Sequence, residues 1–473
     1  MKKLLLITTF LFTLTFYAQN NPDFYLDPNG VTCLCPEADL GDTGTLTING
    51  VTKTFTKRSR AQLNALIDND EQNPYIALTC TSGIEDMSNM FVLQSLFNQA
   101  LNSWDVSNVT DMQRMFLGAY SFNQNINNWD VSNVTNMEEM FFRAISFDHA
   151  LNSWDVSNVT NMAGIFNNTS DFNQPLDNWD VSQVTSMFQM FRDATSFNQP
   201  LDNWDVSNVT DMGNMFLFAD SFNQNINNWD VSQVTNMRTM FWYAESFNQP
   251  LNSWDVSRVT NMLAMFQDTS DFNQPLDNWD VSQVTSMFQM FRDATSFNQP
   301  LDNWDVINVT DMERMFYLAS SFNQPLNNWD VSKVTSMFAM FNDALVFNQD
   351  LSGWCVRQIP VEPQDFALNS ALQEDFFPNW GAECNLSTTN PEAIGFNILI
   401  YPNPSNSKVF IKNDGQIILS KIKLIDMLGR DIKTHSASQI THGIDVSGIE
   451  AGNYFVHFTT VNDKQFVKRL IVN

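Results

Sequence analysis

Ten aspartates stand 25 residues apart: Asp105, Asp130, Asp155, Asp180, Asp205, Asp230, Asp255, Asp280, Asp305 and Asp330. Each lies between a tryptophan and a valine. Carboxylates repeated at one spacing can do three kinds of chemistry. They can hold hard divalent cations, and Ca2+ prefers such oxygen ligands. They can act as an acid–base pair on a glycosidic bond. Or each can accept hydrogen bonds from the Ser, Thr and backbone N–H groups beside it and fix a turn. Strands stacked about 4.8 Å apart would bring these like charges into repulsion, which bridging cations would relieve. The chain lacks the glycine-rich loop of calcium-binding repeats, which favours the hydrogen-bonded turn over a Ca2+ site.

Enzymatic chemistry finds little support. A repeated, solvated carboxylate column gives no member the unlike environment that separates acid from base. The histidines are His149, His435, His442 and His457, and only the first lies among the repeats. No nucleophile–base set, phosphate loop or zinc motif is present. The protein is therefore expected not to be an enzyme and to carry no cofactor, with Ca2+ on the aspartates as the exception. Met and Trp columns at regular spacing read as core rather than as metal or haem ligands. The Asn of Phe-Asn-Gln (Asn98, Asn123, Asn173, Asn198, Asn223 and onward, with Asp148 in one unit) reads as a buried ladder satisfying loop backbone, and less readily as a glycan contact.

These residues belong to one unit. Its tryptophan recurs at Trp104, Trp129, Trp154 and so on to Trp354, without insertion or deletion. Residues 169–206 match 269–306 at every position, as if whole units had been copied. A strict period of this length predicts a solenoid whose units bury their apolar faces against neighbours. In the unit at 201–225, Leu201-x-x-Trp204-x-Val206 reads as a strand with Asp205 and Ser207 outward. Met212, Met215, Phe216 and Ala219 then fall at i, i+3, i+4 and i+7, the face of a short helix capped by Thr210. The pairs Thr110/Gln113, Thr135/Glu138 and Thr310/Glu313 fit a capping box. The fold expected is an α/β repeat solenoid, one short strand and one helical turn per 25 residues, followed by a small all-β sandwich.

Variable positions in the helical segment carry Phe142, Phe188, Phe218, Trp242, Tyr243, Phe288, Tyr317 and Phe338 where other units have Gln, Arg or Asn. Most fit packing against the next unit. Phe218 and Tyr243 point furthest out by helical phase. An exposed strip of Phe218, Trp242, Tyr243 and Tyr317 is the candidate ligand-binding surface.

The ends differ from the middle. Residues 85–354 carry 32 Asp/Glu against 8 Arg/Lys, whereas 385–473 carry 7 against 9. Such an acidic middle excludes nucleic acid and anionic lipid, both bound through Lys and Arg. Residues 1–18 read as a secretory signal: Lys2 and Lys3, an apolar run, then Ala18. No later stretch is long and apolar enough to span a bilayer. Residues 19–83 form a leader and cap, with a hairpin around Asn49-Gly50 and a helix over 59–68. The repeats run over 84–356, a C-terminal cap and linker over 357–390, and a terminal domain over 391–473. The cysteines Cys33, Cys35, Cys80, Cys355 and Cys384 all lie outside the regular middle. A Cys355–Cys384 disulfide would close one end, and Cys80 with Cys33 or Cys35 the other, leaving one thiol over.

The shared elements Phe-Asn-Gln-x-Leu, Trp-Asp-Val-Ser-x-Val-Thr and Met-x-x-Met-Phe resemble the BspA-like leucine-rich-repeat surface proteins, whose repeat type also occurs in mycoplasma surface lipoproteins. The resemblance implies a right-handed solenoid on a bacterial surface, linked to adhesion and without enzymatic activity. Tyr401-Pro-Asn-Pro404, the stretch 422–430 and the stretch 444–456 resemble the type A sorting domain of the Bacteroidetes type IX secretion system. That resemblance implies recognition of 391–473 by an outer-membrane translocon, then removal of the domain and release or anchoring of the rest. The expected function is a secreted or surface-displayed binding and adhesion protein with an extracellular protein or polysaccharide ligand. A cation-organised surface-layer or biofilm component is the alternative.

Overall fold

A computed structural model describes residues 21–382, 398–401, 403–413, 419–426, 430–436, 443–460 and 465–472. The chain divides into two compact units, Met1–Ala382 and Glu383–Asn473. The expected signal segment lies outside the described residues, as does Cys384.

The leader folds as its local chemistry dictates. Strands β1 (Tyr25–Leu26) and β2 (Cys33–Leu34) pair with each other. Strands β3 (Thr43–Ile48) and β4 (Val51–Lys57) form the hairpin around Asn49 and Gly50, both at positive φ as a tight two-residue turn requires. Helix α1 (Arg60–Asn69) starts at Ser59, whose side chain accepts from the Gln62 N–H while Gln62 returns a bond to Ser59. Leu63 and Ile67 on its inner face join the same apolar cluster as Met87 and Phe91 and the repeats that follow. Strand β5 (Thr79–Cys80) pairs in parallel with β4. A disulfide joins Cys35 to Cys80 and leaves Cys33 as a buried thiol.

The repeats overturn the expected α/β leucine-rich-repeat solenoid. Among the described residues they contain no α-helix and no strand longer than a single-residue bridge. They are built from turns. In the unit at 201–225 the N–H of Trp204 bonds the carbonyl of Leu201, Val209 that of Val206, Met215 that of Met212, Ala219 that of Phe216 and Phe222 that of Ala219. Each apolar pair three residues apart thus marks the two ends of one turn, and both ends are buried. Asn214 and Phe218 sit at φ near +59° and +58°, so a right-handed helix cannot pass through them. Their N–H groups, with those of Met212 and Phe216, bond Arg238, Trp242, Asn236 and Met240 of the next unit instead. The threonine is not an N-cap either. Thr135 directs both its N–H and its Oγ1 to the carbonyl of Thr110 in the preceding unit, and Thr160 and Thr210, among others of this column, repeat the arrangement.

Successive units therefore lie layer on layer, in register. Phe191, Phe216 and Phe241 stack with centroids 5.7 Å apart and near-parallel planes, and Phe197, Phe222 and Phe247 form a second column. Phe366 breaks the pattern by turning edge-on to Phe341, at 89°, and to Trp380, which ends the parallel stack. A short 3-10 turn, Glu374–Phe376, follows.

The second unit is all β among its described residues. Strands β6 (Ile398–Tyr401), β7 (Lys408–Asn413) and β10 (Ile444–Asp445) make one antiparallel sheet, and β8 (Leu419–Asp426), β9 (Asp431–Ser436), β11 (Gly452–Thr460) and β12 (Gln465–Val472) a second. Val409 and Ile444 of the first share a core with Ile422, Leu424, Val456, Phe458 and Leu470 of the second.

Candidate functional site

All ten aspartates of the sequence column occupy the same turn. Oδ1 of each accepts the backbone N–H two residues on, from Ser107 N at 3.1 Å on Asp105 to Ser332 N at 3.0 Å on Asp330. Ile307 takes the serine's place on Asp305. In several layers the Ser Oγ adds a second bond to the same oxygen, as from Ser132 to Asp130. The side-chain and backbone bonds from Ser182 and Ser232 hold the carboxyls of Asp180 and Asp230 below the usual range. Asp105 alone is buried, and it also accepts from Ser82 Oγ of the leader. Among the described residues no group of three or more His, Cys, Asp or Glu is placed to hold a metal ion.

Two further ladders pair backbone groups between layers, one accepting from N–H groups and one donating to carbonyls. Asn223 Oδ1 accepts the Asn248 N–H at 3.0 Å and Gln249 Nε2 at 2.9 Å. Asp148 takes over in its layer, accepting from Asn173 N–H and Gln174 Nε2. Each tryptophan of the 25-residue column, Trp104 to Trp354, donates its Nε1–H to the carbonyl 28 residues earlier, as Trp229 does to Leu201 at 3.0 Å. These side chains hold adjacent layers together, and the Asn ladder is half-buried to exposed rather than fully buried.

What remains free to vary is the pair of corners between Met212 and Met215 and between Phe216 and Ala219. Positions equivalent to 213, 214, 217 and 218 carry all eight variable aromatics and six of the seven arginines of 85–354. These residues contact one another along the stack. Arg143 lies over Phe142 at 5.3 Å, Arg238 over Phe188 at 5.9 Å, Arg292 over Tyr317 at 5.6 Å and Arg314 over Phe338 at 4.6 Å. Arg114 bridges Glu139 at 2.6 Å.

The structure brings three of the four proposed ligand-binding residues together. Phe218 and Tyr243 stack at 4.9 Å, and Trp242 stands 5.9 Å from the first and 6.0 Å from the second. All three are half-buried. Trp242 Nε1 donates to Asp268 Oδ2 at 3.0 Å. Tyr317 lies three layers further on, beneath Arg292, and does not join them. The helical phase that pointed Phe218 outward does not exist. Their meeting follows from the 25-residue register instead, since Phe218 and Tyr243 share one column. Sequence reasoning missed the carboxylates around this trio: Asp193 and Asp268 in the same column, and Asp220 and Glu245 two residues past the rings. Burial, then the charges of Glu245 and Asp193, push the Asp220 carboxyl up. Burial and the neighbouring Asp268 do the same to Asp293. Aligning the units by their tryptophans would have exposed this grouping.

Of the cysteines, Cys35 pairs with Cys80, and Cys355 is itself disulfide-bonded. The partner expected for Cys355, Cys384, lies outside the described residues.

Comparison with protein families gives two matches. A family model described as "Mycoplasma protein of unknown function, DUF285" matches residues 62–179, 160–278, 219–319 and 265–380. A "Secretion system C-terminal sorting domain" matches residues 399–473. No curated protein and no solved structure matches the chain. No described helix is long and apolar enough to cross a membrane.

Proposed function

Because this chain belongs to the DUF285 family and ends in a type IX secretion C-terminal sorting domain, which makes it a secreted or outer-membrane-surface protein, we propose that it is a non-enzymatic binding and adhesion protein whose variable corner strip contacts extracellular protein or glycan ligands. The observation that carries this reading is the division of roles inside each repeat. Residues common to the units fill the interior, fix a turn within a layer or bond one layer to the next. Variation in residue type concentrates at the two outward corners, where aromatics and arginines gather. Rings and guanidinium groups are the side chains that most often dominate recognition surfaces. The motif resemblance to BspA-like surface proteins supports the same reading, and the sorting domain supports contact of 391–473 with the secretion translocon.

The test is a glycan and matrix-protein array probed with the full chain and with a Phe218→Asn/Trp242→Gln/Tyr243→Asn variant. Binding by the first and its loss in the second is expected. A folded wild type that binds nothing, or a variant that binds equally well, overturns the proposal. Adding EDTA to the same array tests the cation-organised alternative, for which binding would collapse.

A further inference from the structure

Resting on that reading, we propose that the Phe218–Tyr243 stack, edged by Trp242 and flanked by Asp193, Asp220 and Glu245, receives a lysine or arginine side chain of a partner protein. Aromatic faces attract a cation within about 6 Å of the ring centroid, more strongly where water is partly excluded. Four other rings of the strip already carry an arginine of this chain. Among the described residues no lysine or arginine lies over Phe218, Trp242 or Tyr243. This part of the strip is also where its carboxylates crowd. Asp193 precedes Phe218 by one layer and Asp268 follows Tyr243 by one, while Asp220 and Glu245 each follow a ring by two residues and lie close enough to feel each other's charge. Arg192 offsets Asp193 at 3.1 Å, and among the described residues Asp220, Glu245 and Asp268 form no ion pair. Partial burial, and then the charges of Glu245 and Asp193, push the Asp220 carboxyl up. Gln267, whose carbonyl accepts the Tyr243 N–H, is only 2% exposed; its Nε2 donates to Asp268 at 2.8 Å and its Oε1 meets no donor among the described residues. An arriving ammonium or guanidinium therefore meets ring faces and the unpaired carboxylates of Asp220 and Glu245 together. Arginine and lysine are the side chains that supply all the matching features.

The experiment measures anisotropy of labelled, capped hexapeptides of lysine, arginine or glutamine with the full chain, at about 150 mM salt to screen diffuse attraction to the acidic surface. At least one cationic peptide should bind more tightly than the glutamine peptide. Phe218→Asn/Tyr243→Asn should weaken that binding tenfold or more, asparagine being chosen because it tolerates positive φ. Asp220→Asn/Glu245→Gln, both on exposed side chains, should weaken it similarly and guards against misfolding of the first variant. Asp130→Asn/Asp155→Asn, which removes equal charge elsewhere, should change it less than twofold. Equal binding of all three peptides, unaffected ring variants, or an equal loss in the distant control would overturn the proposal. Strip-dependent capture of a neutral glycan without preference for cationic peptides overturns it and leaves the binding reading standing. Absence of strip dependence in every assay overturns both.

Discussion

The indole Nε1 of Trp204 donates to the carbonyl of Leu176, 3.0 Å away and 28 residues earlier. The ring is buried and the bond spans two layers, so one side chain both fills the interior and satisfies a backbone acceptor of its neighbour. Trp204→Phe keeps most of the apolar volume and leaves the Leu176 carbonyl with the Trp179 N–H as its donor, at a cost of about 0.5–1.5 kcal/mol for the lost bond. Trp204→Ala adds a cavity and should cost about 3–5 kcal/mol. Urea unfolding of both variants measures the difference. No loss in Trp204→Phe would mean that the hydrogen bond contributes nothing, and equal losses that the buried ring adds nothing beyond it.

The Asn ladder contains its own control. Asn223→Ala removes an acceptor from the Asn248 N–H and Gln249 Nε2, and should destabilise by about 1–3 kcal/mol. Asn223→Asp should remain within about 0.5 kcal/mol of wild type, because Asp148 fills the equivalent rung in its own layer. The two denaturation midpoints decide it. A large loss with aspartate would contradict the ladder as described.

Backbone handedness makes a third prediction. Leu93 is exposed at φ +60° and Gly164 is buried at φ +63°. Leu93→Gly should raise stability by up to about 1 kcal/mol by relieving the left-handed strain. Gly164→Ala introduces that strain, and its Cβ would lie 3.1 Å from Glu139 Cγ, so a loss of about 1–2 kcal/mol is expected. The two thermal shifts should have opposite signs.

Acidity should act on the two kinds of carboxylate in opposite directions. Asp220 has a raised pKa in the folded chain, so its charge disfavours folding at neutral pH and protonation relieves this. Asp220→Asn should therefore raise the melting temperature at pH 7, and the gain should vanish below about pH 4, the unfolded value. Asp180 has a lowered pKa, so its contribution is present above the unfolded value and is lost as pH falls through the folded one. Asp180→Ala should therefore destabilise at pH 7, and the deficit should close in acid. Melting curves across pH 2–7 check both signs.

Cys33 is buried, and that burial, with the Asp105 charge adding to it, pushes its thiol up to about 12. It should resist alkylation in the folded protein and label only in denaturant, while peptide mapping finds Cys35 joined to Cys80. Rapid labelling of Cys33 in the folded chain would contradict this placement.

The period, the interior identity of Trp, Met and Phe, the Asn49-Gly50 hairpin and the Ser59-capped helix were legible in the residues themselves. Each rests on local chemistry or on a spacing that any compact chain must bury. The helix within each repeat was misread because apolar residues at i, i+3, i+4 and i+7 fit a helix and two successive four-residue turns equally well. Only the positive φ at positions such as Asn214 and Phe218 separates them, and Leu, Arg, Thr and Tyr at the same positions carry no sign of that backbone. The layers supply what local preference does not. Every such N–H finds a carbonyl about 24 residues ahead, and that pairing outweighs the strain of a single left-handed residue. Tertiary register likewise joined Phe218, Trp242 and Tyr243 and left Tyr317 apart, and it chose Cys35 over Cys33. Those outcomes depend on which layer lies beside which, a relation that one linear spacing does not contain.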